Sequence, residues 1–439
     1  MHRRNLLILV IVVPGCLLAY AAQDRTGQGK RFAEVIHRID KEYFRTIDAE
    51  QLFEAAMKGV FRELDDDSEF IESSELKKYE KESKEEFAGI GVELDAKRSS
   101  GDVVVVAPVF GGPAWQAGIR PGDRIVSVEG LETSGRKISE IVSQFRGEVG
   151  SKVNLGIRRQ DVSTNELSAA QDITISRQNI RIESVRGDRR LPSGKWDWWL
   201  EGNSRIAYLR ITYFGNRTSL EITELIEQLL IEHSPEGLVI DLRGNSGGSL
   251  EAGVELCDLF LEEGLIAVLT NDRKTSRSNR KQFQKKWLAT SGQVLRGVPI
   301  AVLVDEFTSG VAEIVAACLQ DHKRATIVGS RSFGNASVQT VTTLSSGPGA
   351  IRLTTNEYQR PSGASLNRSS KSNESDVWGV RPDSNFAFSP TREQLEDWIS
   401  WRQDRDRVSS VQSGKALDPG GLLPRHADPV LGRALTLFE

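Results

Sequence analysis

Apolar residues recur every three to four positions near the start of the chain. Phe32, Val35, Ile36 and Ile39 do so first, then Leu52, Phe53, Ala56 and Val60. That period predicts helices across residues 30–85. Leu64-Asp65-Asp66-Asp67-Ser68 interrupts them, and Glu72–Glu86 resumes as a charged helix with a solvated face. The period then shortens. Gly89-Ile90-Gly91-Val92-Glu93-Leu94 alternates as one strand, and Val103–Val106 is the continuous apolar run of a buried strand. Residues 86–160 therefore read as a compact β-rich module, and 161–202 as a junction. The dense cluster Trp196-Asp197-Trp198-Trp199 in that junction reads as a packing anchor. Strand-like runs Ile206–Ile211, Gly237–Leu242 and Val298–Val304 then alternate with helices near 219–232, 249–262 and 311–320. Such alternation predicts βαβ units on a mostly parallel sheet. A basic stretch, Arg273–Lys286, reads as a solvated loop, and 384–439 as a polar, proline-punctuated tail.

Length and charge add limits. A chain of 439 residues exceeds one ordinary core and suggests two or three domains. Its net charge of −4 gives no reason to expect nucleic acid. Five scattered His without HExxH or CxxC spacing argue against a metal site, and nothing calls for a cofactor. Cys257 and Cys318 lie in apolar helical runs and read as small core residues. His2-Arg3-Arg4, the apolar stretch from Leu6 and Ala19-Tyr20-Ala21 read as an export signal over residues 1–22. That stretch is at the lower limit for crossing a bilayer, so an uncleaved anchor is the alternative. Val13-Pro14-Gly15-Cys16 is a poor lipidation site.

Two strand-to-helix turns carry the candidate chemistry. Asp241-Leu242-Arg243-Gly244-Asn245-Ser246-Gly247-Gly248 follows a buried strand and opens a helix. Backbone amides in such a turn can stabilise a developing oxyanion, although a tight turn needs glycine in any case. The second turn is Val304-Asp305-Glu306-Phe307-Thr308-Ser309-Gly310-Val311-Ala312-Glu313-Ile314, read together with Phe333-Gly334-Asn335-Ala336-Ser337-Val338-Gln339.

With Gln320–Gly329, Gly379-Val380-Arg381-Pro382-Asp383 and the closing Asp428-Pro429-Val430-Leu431, these segments resemble the C-terminal processing (tail-specific) serine peptidases. Gly111–Gly130, with Phe145-Arg146-Gly147 and Ile157-Arg158-Arg159, resembles the PDZ domain that these peptidases carry. The resemblance implies a multidomain α/β protein with a ClpP/crotonase-like core over 203–383. It also implies an inserted PDZ domain over 86–160, an N-terminal helical segment and a short helix in the tail. PDZ domains bind peptides by strand addition, and Gly89, Ile90, Gly91 and Val92 suit the loop that takes a terminal carboxylate. The resemblance gives Gly247 and Gly248 the oxyanion role and Gln339 that of an orienting glutamine. The family's serine nucleophile falls on Gly310 and its lysine base on Asn335.

Those last two positions lack the atoms the reaction uses. A nucleophile needs an oxygen or sulfur that can shed a proton, and glycine has neither. A base must accept that proton near neutral pH, as a desolvated lysine can and an asparagine amide cannot. Ser309 is the fallback nucleophile, yet one step along a helix start turns a side chain by about 100°. Ser337 and Thr308 are further substitutes, and His322 would have to swing in as base. The expectation is an exported pseudoprotease of the periplasm or cell envelope that binds polypeptide C-termini or unfolded segments. The alternatives are an active endopeptidase using Ser309, and a subunit that joins active paralogues. Membrane contact is expected only through an uncleaved leader.

Overall fold

The computed structural model describes residues 27–76, 87–94, 103–160, 164, 166–180, 183–191, 193–271, 284–290, 292–345, 348–368, 372–373, 375–406 and 427–439. The expected leader, most of the charged helix after Glu72 and most of the basic stretch lie outside these residues. Two compact units divide the chain: residues up to Leu76 with Thr340–Leu353, and Lys77–Gln339 with Thr354–Glu439.

The smaller unit holds two helices, α1 (Gly27–Glu42) and α2 (Ala49–Phe61), as the apolar period predicts. Asp48 caps α2 by accepting from Glu50 N at 3.0 Å. The acidic break is a turn closed by Asp65, whose Oδ1 accepts from the amides of Asp67 (3.0 Å) and Ser68 (2.7 Å). One correction follows. Residues 30–85 are not wholly helical, because β1 (Glu69–Ile71) pairs antiparallel with residues 350–352. A three-residue strand is too short to show a period of its own.

In the larger unit the β-rich module opens with β2 (Phe87–Gly89) and β3 (Val92–Leu94), not with the single strand expected. Gly91 breaks it with φ 71°, a backbone that β-branched or bulky residues avoid. The module continues with β4 (Val103–Pro108), α3 (Pro113–Gln116), β5 (Arg124–Val128), α4 (Ile138–Phe145), β6 (Lys152–Arg158) and β7 (Gln171–Ser176). Ile90, Val105, Ile125, Ile141, Leu155 and Ile175 fill its core. β8 (Gln178–Ile180) pairs with β2.

The α/β core is built on four parallel strands in the order β9 (Asn203–Ile211), β10 (Gly237–Asp241), β13 (Ile300–Val304) and β14 (Thr326–Gly329). Alternate strand residues face opposite sides. Ala207, Leu209, Leu238, Ile240, Ile300 and Val302 meet the helices α5 (Thr218–Glu232), α6 (Leu250–Phe260) and α7 (Val311–Asp321). Tyr208, Val239, Ala301 and Leu303 face the other way and bury α9 (Pro429–Leu435) through Val430, Leu431 and Ala434. A sheet covered on both faces explains its continuous apolar runs. Further strands include β11 (Leu265–Thr270), β12 (Gln284–Leu288), β15 (Ser337–Thr343) and β16 (Ala350–Gln359). Residues 284–286 of the basic stretch are thus strand rather than loop, paired to β11. Cys257 and Cys318 are free and buried on α6 and α7.

The tail departs most from expectation, since α8 (Arg392–Asp406) occupies much of it. This helix shows no apolar stripe because charged groups dock it. Arg402 and Arg405 are buried and bond Asp188, while Arg186 and Arg210 pair with Asp406.

A second buried ionic group locks the end of β10. Asp241 accepts from Tyr208 Oη at 2.7 Å and from Arg243 Nη2 at 2.6 Å, and Arg243 reaches Asp428 at 2.6 Å. The Trp398 ring lies over that guanidinium, 4.3 Å from centroid to Cζ. Burial pushes the Asp241 carboxyl up, but the Arg243 charge and the hydrogen bonds outweigh it and hold it below its ordinary value. A depressed carboxyl stabilises the fold above the ordinary aspartate range and loses that effect as pH falls through the lower folded value. Asp241→Asn should therefore cost about 3 kcal/mol at pH 7, where Arg243 loses one partner. The gap from the parent protein should shrink below about pH 4. Urea midpoints at pH 7 and pH 3 measure it; an equal gap at both would refute the account.

Candidate active site

The turn after β10 is shaped by glycine. Gly247 and Gly248 adopt φ values of 104° and 131°, where side chains are strained. A Cβ on Gly248 would also stand 2.1 Å from Phe214 O. Asn245 is buried and donates through Nδ2 to Ile211 O at 2.8 Å, while its Oδ1 accepts from Gly247 N at 2.8 Å. The Gly247 amide is thus committed to Asn245, whereas Gly248 lines the adjoining cavity.

Hydrogen bonds stitch the second turn to the first. Asp305 Oδ1 accepts from Gly244 N at 3.0 Å, Thr308 Oγ1 donates to Leu242 O at 3.0 Å, and Ser309 N donates to Asn245 O at 2.9 Å. Burial pushes the Asp305 carboxyl up. Gly310 ends the turn at φ 60°, ψ −126°, immediately before α7. Sharp strand-to-helix turns of this kind present a nucleophile to solvent at the cost of backbone strain. Glycine at position 310 avoids that strain.

The loop from Ser332 to Gln339 is held against this turn by Glu313, at the third position of α7. Its buried carboxylate accepts from Gly334 N at 2.7 Å, Asn335 N at 2.8 Å, Gly310 N at 3.2 Å and the Ser332 hydroxyl. Burial pushes the carboxyl above its ordinary value, and the four donors offset part of that. Gly310 N also donates to Asn335 O at 2.9 Å, so the structure brings positions 310 and 335 together. Ser337 Oγ donates to Asn335 Oδ1 at 2.6 Å and accepts from Gln339 Nε2 at 2.9 Å, so Gln339 reaches Asn335 only through Ser337. Outside the loop, Trp378 lies between Arg331 and Arg368, at 3.3 Å and 4.6 Å.

These turns border a cavity of about 540 Å³ whose lining includes Gly248, Ser309, Gly310, Asn335, Ser337 and Gln339. His322 is elsewhere. It closes the far end of α7, roughly 16 Å along the axis from Val311, and its Nε2 lies 2.8 Å from Leu265 O. Lys285, Trp287 and Tyr358 also line the cavity and were not singled out from the sequence. The signal of Lys285 and Trp287 was hidden because Gln284–Leu288 overlaps a basic run that reads as loop. Burial, then the Glu251 charge, pushes the Tyr358 hydroxyl up to about 12. In the β-rich module, Ile90 is buried, its carbonyl accepting from Ala114 N at 2.9 Å, and Gly91 O accepts from Val109 N at 2.9 Å. Gly89 ends β2 and Val92 begins β3.

Two glycine turns and a polar loop on a parallel sheet, beside a β-rich module, define the class. A profile of peptidase family S41 matches residues 205–386, and a PDZ domain profile matches 104–159. A carboxy-terminal-processing protease of Bartonella bacilliformis is 30% identical over 415 residues, covering 93% of this chain and 89% of that protein. The carboxy-terminal processing protease CtpA of Bacillus subtilis is 29% identical over 332 residues, covering 75% of this chain and 65% of its own. The chain belongs to the carboxy-terminal processing protease family. A solved S41 protease structure from Bacteroides fragilis has a TM-score of 0.50 at 16% identity, covering 88% of this chain and 95% of that one. That likeness concerns the fold alone.

Two outcomes test this geometry. Gly310→Ser should lower stability by about 1–3 kcal/mol, because it imposes a side chain on positive φ. An unchanged urea midpoint would show the turn to be unstrained. Glu313→Ala should speed hydrogen exchange at the Gly334 and Asn335 amides, read against unchanged exchange in β10.

Proposed function

We propose that the protein is an exported, cell-envelope member of this family that binds polypeptide C-termini or unfolded segments without cutting them. The reading is supported by one observation, the hydrogen bond from Gly310 N to Asn335 O, which joins the two positions that the family resemblance assigns to nucleophile and base. Neither side chain has an atom for the task. In a serine peptidase, losing the nucleophile or its base costs roughly 10⁶-fold in kcat, and losing both adds little. What remains is oxyanion and binding groups, here Gly248 with the cavity lining, and the Gly89–Val92 loop as the carboxylate-binding element of the PDZ domain. Among the described residues no helix is long and apolar enough to cross a membrane.

Ser309 lines the same cavity, which favours as second reading an endopeptidase with a displaced nucleophile. Incubating the pure protein with unstructured peptides that end in apolar residues separates the two by mass spectrometry. Intact peptide with saturable binding is expected. Cleavage that disappears in Ser309→Ala would overturn the binder. The double variant Gly310→Ser with Asn335→Lys should gain hydrolysis, since both missing atoms return to a preserved frame.

A further inference from the structure

The cavity beside Gly310 has two unlike walls. Leu250, Trp287 and Tyr358 make an apolar one, and hydroxyls and amides from both turns make the other. Two charged side chains line it among the described residues, Glu251 and Lys285. Glu251 is engaged, accepting from Ser249 Oγ at 3.3 Å. Lys285 is different. It is exposed on β12, its ammonium stands 4.6 Å from the Trp287 ring centroid, and among the described residues it forms no ion pair. The cation of this cleft therefore comes from a strand remote in sequence from position 335.

We propose that this cavity is a receptor for a peptide carboxylate, held by Lys285, with the adjoining apolar side chain seated on Trp287, Tyr358 and Leu250. An ammonium packed on an indole keeps its stem on apolar surface and its head toward a ligand. A carboxylate supplies the opposite charge and strong acceptor oxygens that a neutral peptide group lacks. The carboxylate is either the chain terminus or an Asp or Glu side chain. The inference rests on the core binding peptides without cleaving them.

The test uses the full chain and a fluorescent peptide with a photo-crosslinking phenylalanine analogue beside its apolar C-terminal residue. Three companions carry a C-terminal amide, an internal Glu, or that Glu changed to Gln. Crosslinks to residues 246–251, 284–288 or 335–339 are expected, with binding there roughly tenfold weaker in Lys285→Glu and kept in Lys285→Arg. Loss on amidation identifies the terminus as the group held; loss on changing Glu to Gln identifies the side chain. Crosslinks confined to residues 89–92, or indifferent to Lys285→Glu, overturn the proposal. So does indifference to both neutralisations. Peptide fragments in the same mass spectra would instead refute the non-cleaving reading, so the two failures are told apart.

Discussion

The geometry of the site depends on the buried carboxylate of Glu313. A charge without water needs donors, and this one receives three backbone amides and the Ser332 hydroxyl. Two of those amides belong to Gly334 and Asn335, and the third to Gly310. A single side chain at the start of α7 thus orients both the turn that ends at Gly310 and the loop from Ser332 to Gln339. Ser332 Oγ passes the constraint on by accepting from Val380 N at 2.7 Å.

The first glycine turn is held from the opposite side of the sheet. Asp241 and Arg243 fix its start, and Asp428 ties it to α9, which covers the other face. Asp305, Thr308 and Ser309 then bind the two turns together. This frame does not depend on the side chains at positions 310 and 335, because none of these bonds involves them. Glycine at φ 60° even relieves strain that a serine must bear. Glycine at position 310 is therefore compatible with a more stable turn, in line with the general opposition between stability and activity. The cleft is lined by the aromatic rings of Trp287 and Tyr358 and, among the described residues, by one cation without an ion pair, Lys285.

Much of the parallel core was legible because its strands are buried on both faces and its helices carry apolar stripes. The two turns were legible through glycine spacing. Other elements left no such trace. The strand Glu69–Ile71 is too short for a period, and Gly91 divides a run that alternates like one strand. Gln284–Leu288 is mostly exposed and mostly polar, so its pairing with β11 could not be read from hydropathy. The helix Arg392–Asp406 docks through arginine and aspartate, which in sequence look like a solvated tail.

By itself the sequence determined the family, the class of fold and the two glycine-rich turns, since these follow from local residue order along single segments. Only the tertiary structure decided that Gly310 and Asn335 touch, that the Gly247 amide is taken by Asn245 and that His322 faces away. It alone carried Lys285 into the cleft. Contacts between residues far apart in the chain come from sheet register and helix packing, and neither is written in the local period of hydrophobic and polar groups.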